Sequence, residues 1–451
     1  MAYYPLPEPV DKSIYKSNKS DLAYYGLPDE VRFCNSCVIS NQRPSSTIEF
    51  KNDGKAPKHT IVFSEDSLCD ACLTKLKQES IDWDSRESEL QQLCDQHRNS
   101  DGKYDCLVPG SGGKDSFMQA HILKYKYGMN PLTCTWAPHI YTDWGWRNHQ
   151  AWIHAGFDNV LFTPNGLVHR LITRLSVENL FHPFQPFILG QKNLAPRIAA
   201  MYGITLIFYG ENEAEYGNPI ADMSSAQRSW DYFTASDEEE IFLGGTSLSG
   251  LRELGLKPGD WEPYLPLNPN IMQDGKIEVH YLGYYLKWHP QGAYYYSIEN
   301  GDFQSSPERT VGTFSTYNSI DDKIDDFHYH TTWIKFGIGR ATYDASQEIR
   351  SGDLLREEGV ALVRKYDGEF PIRWSDEIFK YLSLPTSQYP NASKQFEQPG
   401  FDKDYYASLS DKFRSPHLWQ YKDDEWTLRK IVSNNREKLN TQAENWTGNK
   451  H

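Results

Sequence analysis

The sequence predicts an α/β protein: a doubly wound, mostly parallel sheet with a glycine-rich phosphate loop, preceded by a four-cysteine zinc module and followed by a mixed C-terminal region. Three observations predict it. Short apolar runs alternate with amphipathic stretches between residues 101 and 235, the run YDCLVP passes through PGSGGKDS into a helical pattern, and four upstream cysteines fall into two tight pairs.

Residues 1–30 are rich in Pro, Tyr and charge without a sustained period, and read as an irregular arm. Residues 31–100 hold the cysteine pairs and then LTKLKQESIDWDSRESELQQLCDQHR, whose spaced apolar positions predict one or two connecting helices. In the main domain, residues 101–235, the predicted strands are DCLVP, NPLTCTWAP, DNVLFTP and ITLIFYG. The helical stretches NHQAWIHAG, LVHRLITRLSVENL and KNLAPRIAAMYG lie between them, and such alternation implies a parallel sheet covered by helices. Residues 236–400 lose the regular spacing and become aromatic, a region read as sugar-binding and interaction surface. Residues 401–451, including DEWTLRKIVSNNREKL, read as a charged, helix-like extension.

Composition narrows the function. Acidic residues number 61 against 46 Lys plus Arg, a net charge of −15, which argues against broad capture of nucleic acid. The opening MAYYPLPEPVDKSIYKSNKS has no apolar signal core, and no apolar run approaches about 18 residues, so a cytoplasmic protein without a membrane span is expected. The 29 Tyr, 21 Phe and 13 Trp suit either half-buried packing or sugar recognition, and composition does not choose between them.

The spacing Cys34-x2-Cys37-x31-Cys69-x2-Cys72 suits two chelating turns. Four thiolates make a soft, closed tetrahedral site that favours structural Zn2+ over an iron–sulfur cluster or redox cysteines. Cys94, Cys106 and Cys134 stand alone, and core packing is the simpler reading for Cys106 and Cys134.

In PGSGGKDS, residues 109–116, Gly110, Gly112 and Gly113 permit close backbone approach, while Ser111 and the first helical amides can donate to phosphate oxygens. Lys114 adds a cation, Asp115 can orient Mg2+ and Ser116 can donate, whereas a bare glycine turn would need none of these. The loop fits neither GxxxxGK[ST] nor GxGxxG. After the strand ITLIFYG come Glu211, Glu213 and Glu215, of which Glu211 is the preferred candidate for magnesium or proton handling; a solvated acidic loop is the competing reading. His139, Asp143, His182 and Gln185 could bend over a carbohydrate, with Lys192 and Arg197 on phosphate or a sugar carboxylate, although packing explains the same residues. Helical spacing puts Arg340, Asp344 and Glu348 on one side, as an ion network or a polar substrate wall.

SGGKDS resembles the pyrophosphate loop (PP-loop) of the ATP pyrophosphatases, the adenine-nucleotide alpha-hydrolase superfamily. Together with IFYGENEAEYG, RTVGTFSTYNSIDDKIDDFHYHTTWIKFGIGRATYDASQEIR, LVRKYDGEFP and the cysteine pairs, the chain closely resembles, over roughly residues 30–400, the N-acetyl sugar amidotransferase family of bacterial surface-polysaccharide biosynthesis. The resemblance implies an ATP-dependent enzyme that forms AMP and pyrophosphate while converting a sugar N-acetyl group to an acetamidino group. Its setting would be O-antigen (lipopolysaccharide) biosynthesis or nonulosonic acids such as pseudaminic or legionaminic acid. It also implies an N-acetyl sugar or sugar-nucleotide substrate and a separate glutaminase subunit supplying ammonia. Lys114, Asp115 and Glu211 would carry the chemistry, with His139, His182, Gln185, Lys192 and Arg340 at the sugar. The alternatives are an RNA-modifying adenylating enzyme, such as a tRNA thiolation enzyme, and a noncatalytic zinc-containing assembly protein.

Overall fold

The computed structural model describes residues 3–210, 225–236 and 239–432. Its centre is a five-stranded, all-parallel sheet in the order β3-β2-β1-β4-β7. The strands are β1 (Cys106–Pro109), β2 (Pro131–Trp136), β3 (Asp158–Phe162), β4 (Leu206–Tyr209) and β7 (Glu278–Tyr281), while β5 (Phe242–Leu243) and β6 (Thr246–Ser247) form a small hairpin. The first four strands fall where the apolar runs predict them. The fifth comes from beyond residue 235, so the sheet extends into the stretch whose spacing looked irregular.

Alternation along the strands explains why both faces are covered. Leu107 of β1 packs with Leu132, Cys134 and Trp136 of β2 beneath helices α5 (Gly166–Leu180) and α6 (Gln185–Tyr202). Cys106 and Val108 point to the opposite core, where α2 (Trp83–His97), α3 (Lys114–Tyr125) and α4 (Asp143–His154) contribute Leu90, Phe117 and Trp152. Residues burying both faces read as near-continuous apolar runs, which is what made these strands visible in the sequence. The buried hydroxyls in β2 are satisfied within the sheet: Asn159 donates to Thr133 at 2.9 Å and to Thr135 at 3.1 Å. Cys106 and Cys134 are core packing residues, buried on opposite faces.

The N-terminal segment is irregular in path but pinned to the far end of the chain. Tyr4 stacks on Phe396 with ring centroids 4.5 Å apart, and the Tyr15 hydroxyl donates to the Arg414 carbonyl at 2.9 Å. After helix α1 (Asp70–Gln78), α2 leads into β1, as the spaced apolar positions predict. In the tail, Lys403–Phe413 is helical as read, residues 433–451 lie outside the described residues, and one stretch differs. Within DEWTLRKIVSNNREKL, residues Glu425–Leu428 form strand β9, paired antiparallel with β8 (Trp419–Lys422). Asp423 and Asp424 both adopt left-handed backbone (φ 53° and 62°), giving the turn that two-residue hairpins require, and this local geometry overrides the charged, helix-like composition. Among the described residues, no helix is long and apolar enough to cross a membrane.

Candidate functional site

The glycine loop leaves the carboxyl end of β1, the strand whose neighbours β2 and β4 lie on opposite sides. Chain connections diverge at this point, opening a crevice at the sheet edge where ligands of such sheets bind. Gly112 has φ +84°, and a Cβ there would stand 2.8 Å from Asn148 O and His149 Cα, so the loop lies directly against the backbone of α4. Ser116 secures the turn by accepting from the Gly112 amide at 3.2 Å and donating to the Gly113 carbonyl at 3.1 Å. Gly113 caps α3 without a side chain, leaving the positive end of the helix open to an anion. Lys114 is nearly buried, and its ammonium meets both Asp115 oxygens at 2.8 and 2.7 Å.

Lys114 and Asp115 form one wall of a cavity of about 790 Å³. The remaining walls come from the cysteine module, the end of α5 and the helices Asp325–Phe336 and Arg340–Ser351. Seven basic side chains line it, among them Lys58, Lys335, Arg340 and Arg350, against three carboxylates, Glu49, Asp115 and Asp344. A cationic cavity within an acidic chain is an anion-binding environment. Burial, reinforced by Lys58, lowers the Lys335 ammonium to about 7, and its Nζ donates to the Leu180 carbonyl at 2.6 Å. His182 and His328 stack in the wall with centroids 4.9 Å apart, and burial holds both imidazoles neutral, His182 pushed down to about 3. Arg340 Nε meets Asp344 at 2.9 Å, and its guanidinium lies over the Tyr329 ring.

Five of the residues singled out in the sequence therefore meet at the cavity: Lys114, Asp115, His182, Arg340 and Asp344. Others do not. His139 is sealed in the interior, donating its backbone amide (2.7 Å) and pairing Nδ1 (2.8 Å) with the Asp322 carboxylate and packing on His169. Gln185 is buried with its amide spent on structure: Oε1 accepts from Ser176 and the Gly244 amide, and Nε2 donates to the Glu49 carbonyl. Lys192 lies over the Tyr232 ring, Arg197 pairs with Glu262 at 2.8 Å, and Asp143 is exposed in the first turn of α4. Glu211, Glu213 and Glu215 lie outside the described residues. Sequence reasoning missed Lys335 and His328; their signal was present in NSIDDKIDDFHYHTTWIKF, but only folding carries that segment to the cavity beside Lys114.

The cysteine module forms a candidate metal centre. Cys34, Cys37, Cys69 and Cys72 are buried, with all four Sγ atoms within 4.8 Å of one another. Cys34 and Cys72 are 3.8 Å apart, and Cys37 and Cys69 3.7 Å. Four sulfurs about 2.3 Å from one ion at tetrahedral corners stand about 3.8 Å apart, so the donor set fits zinc. Among the described residues this is the one group of three or more His, Cys, Asp or Glu close enough to hold an ion. The centre is tied to the C-terminal region, since Arg356 donates to the carbonyls of Cys37 and Cys34, both at 3.1 Å. Ile39 and Ala71, on the two cysteine turns, also line the cavity.

Comparison with known proteins finds two similarities. Residues 311–432, which include Asn318, His328, Lys335 and Arg340 of the cavity wall, match the family described as LPS biosynthesis protein WbpG-like, C-terminal domain. A protein of Methanocaldococcus jannaschii described as uncharacterized is 33% identical over 75 residues, 17% of this chain. The match spans about a quarter, 27%, of that relative's length.

Proposed function

We propose that the protein is an ATP-dependent amidotransferase that converts an N-acetyl group on a sugar, free or nucleotide-linked, into an acetamidino group. The observation that carries this reading is the Lys114–Asp115 pair, at the mouth of an uncapped helix, opening directly onto a basic cavity of substrate size. The match of residues 311–432 to a lipopolysaccharide biosynthesis domain supports a polysaccharide setting.

Amide resonance makes the carbonyl oxygen a poor leaving group, so ammonia cannot displace it directly. In the proposed sequence the amide oxygen attacks the α-phosphorus of ATP and pyrophosphate departs. Ammonia then adds to the imidate carbon, and AMP leaves with the former amide oxygen, giving the amidine. Lys114, Ser116 and the first amides of α3 hold the phosphates, and the negative charge developing on them is stabilised by donors fixed in advance. Asp115 is the residue to hold magnesium, which would screen those phosphates. Arg340 and His182 face the sugar side, and Glu211 remains a candidate for proton handling. The cysteines hold zinc in a structural role, because four thiolates leave no open position. Ammonia comes from a glutaminase partner.

The test is a panel of N-acetyl sugars, free and nucleotide-linked, incubated with the protein, Mg-ATP and ammonium. Sugar-dependent AMP and pyrophosphate, with a product in which NH replaces O, is the expected result. ADP and inorganic phosphate as the sole coupled products would overturn the reading.

A further inference from the structure

The glycine loop is held between two helices, and one distant segment touches both. On one side the loop enters α3 at Lys114; on the other, Gly112 rests on the backbone of Asn148 in α4, with no room for a Cβ. The helix Pro290–Gly301 lies against the first of these. Ser297, fully buried, places its hydroxyl 2.8 Å from the Lys114 carbonyl and 2.7 Å from Ala293 O in its own helix, so one hydrogen is shared between two acceptors. A Cβ on Gly301 would stand 1.8 Å from the Phe117 ring, and the Tyr296 hydroxyl meets His121 Nδ1 at 2.7 Å, so the contact runs along two turns of α3. The chain then passes to the second flank. The Gln304 amide donates to Asn148 Oδ1 at 2.8 Å, and Asn148 Nδ2 donates to the Gln304 carbonyl at 2.9 Å, a two-bond clamp on a buried side chain. The Trp144 indole adds a bond from α4 to the Ser305 carbonyl.

We propose that Ser297 and Asn148 are positioning residues for the nucleotide loop, through which residues 290–305 brace α3 and α4 at the spacing that bound ATP requires. The inference rests on reading residues 110–116 as that site. Gly110, Gly112 and Gly113 bring no side chains to hold the loop, and glycine has the most backbone freedom to regain. Donors aimed at phosphate stabilise charge best when their geometry is set before the ligand arrives. Ser116 fixes the turn from within, but its bonds to Gly112 and Gly113 do not set the distance between the two helices. Ser297 on Lys114 and Gln304 on Asn148 do, from one continuous stretch of chain. The same helix also meets the cavity wall: Tyr294 stacks on Tyr317 with centroids 4.1 Å apart, and Gln291 and Tyr317 donate to Glu348 at 2.8 and 3.1 Å, on the helix that carries Arg340 and Asp344. The nucleotide loop and the sugar-side wall therefore share one support.

The test is Mg-ATP binding by calorimetry to the full chain, comparing wild type with Ser297→Ala, Asn148→Ala and the control Ser410→Ala, with thermal melting to follow the fold of each. Ser410 is also buried and makes the same bond one helical turn back, to Tyr406 O at 2.7 Å, but among the described residues its hydroxyl bonds only within the helix Lys403–Phe413. Losing a hydrogen bond that sets the loop should weaken Mg-ATP binding about three- to tenfold in Ser297→Ala and in Asn148→Ala, while Ser410→Ala should change it by less than about threefold. A loss under about threefold in either of the first two would overturn the inference, and so would a larger loss in Ser410→Ala, which would mean that any buried helical hydroxyl has the same effect. Hydrogen exchange on the wild type decides the matter where a variant does not fold: saturating Mg-ATP should slow exchange across Ala293–Gln304 as well as in the loop, and unchanged exchange in Ala293–Gln304 would overturn the inference. A wild-type chain that binds no ATP would instead overturn the proposed function, and this inference with it.

Discussion

Replacing Gly112 by alanine tests whether the loop geometry is as tightly set as its contacts indicate. Two costs add. The φ of +84° places an L side chain in the left-handed region at about 1–2 kcal/mol. The new Cβ would also stand 2.8 Å from Asn148 O and His149 Cα, backbone atoms of α4 that cannot swing aside, and relieving such overpacking costs about 1–3 kcal/mol. The expected destabilisation is thus roughly 2–5 kcal/mol. Gly113→Ala is the matched control: its φ is −65° and its nearest neighbour is Ser111 Oγ at 3.6 Å, so the cost is about 1 kcal/mol or less, set by the poorer capping of alanine. Amide hydrogen exchange across Cys106–Tyr125 reads the difference locally. A 2 kcal/mol loss corresponds to roughly thirtyfold faster exchange in Gly112→Ala. Exchange within threefold of wild type, or equal acceleration in the two variants, would refute the argument from close approach.

Lys114→Ala should weaken ATP use on the order of tenfold or more by removing the one cation on the loop, while Asp115→Asn should chiefly raise the magnesium requirement; both are read by pyrophosphate release against ATP and Mg2+ concentration. Elemental analysis should find about one zinc per chain, and Cys69→Ser should lose it and destabilise the N-terminal module, because ligand loss is coupled to folding. Binding of an anionic sugar substrate should weaken as pH rises through about 7, because burial lowers Lys335 to that value and the bound anion favours its charged form. Above pH 7 binding must then take up a proton, with affinity falling by up to about tenfold per pH unit, and Lys335→Met should bind more weakly at pH 6 but show a flatter profile. Ammonium should support turnover by the isolated chain, with glutamine effective only after a glutaminase is added, as followed by nitrogen-15 in the product.

The features legible in the sequence are those whose signals are local. Strands β1, β2 and β4 are buried along nearly their whole length, so their residues read as near-continuous apolar runs, broken only by the paired threonines of β2. The glycine loop announces itself because Gly112 must adopt a positive φ and tolerate α4 at contact distance. The four cysteines are readable because each pair needs only one turn of chain to chelate. Where the local signal misleads, as in DEWTLRKIVS, a left-handed turn at Asp423 and Asp424 decides the structure against the charge pattern.

Tertiary structure decided which polar side chains remain available to a ligand. Nothing near His139 or Gln185 in the chain shows that Asp322 will engage His139 Nδ1 or that Gly244 and Glu49 will engage the Gln185 amide, because those partners lie 59 to 183 residues away. Lys335 reads as an ordinary helical lysine until folding buries it beside Lys58, and Asp322 as one acid in an acidic run until folding sets it on His139. Helix and strand periods are set by neighbours along the chain, and sequence carries them directly. The charge state, burial and partner of a side chain depend on what packs against it from elsewhere, and only the assembled fold specifies that.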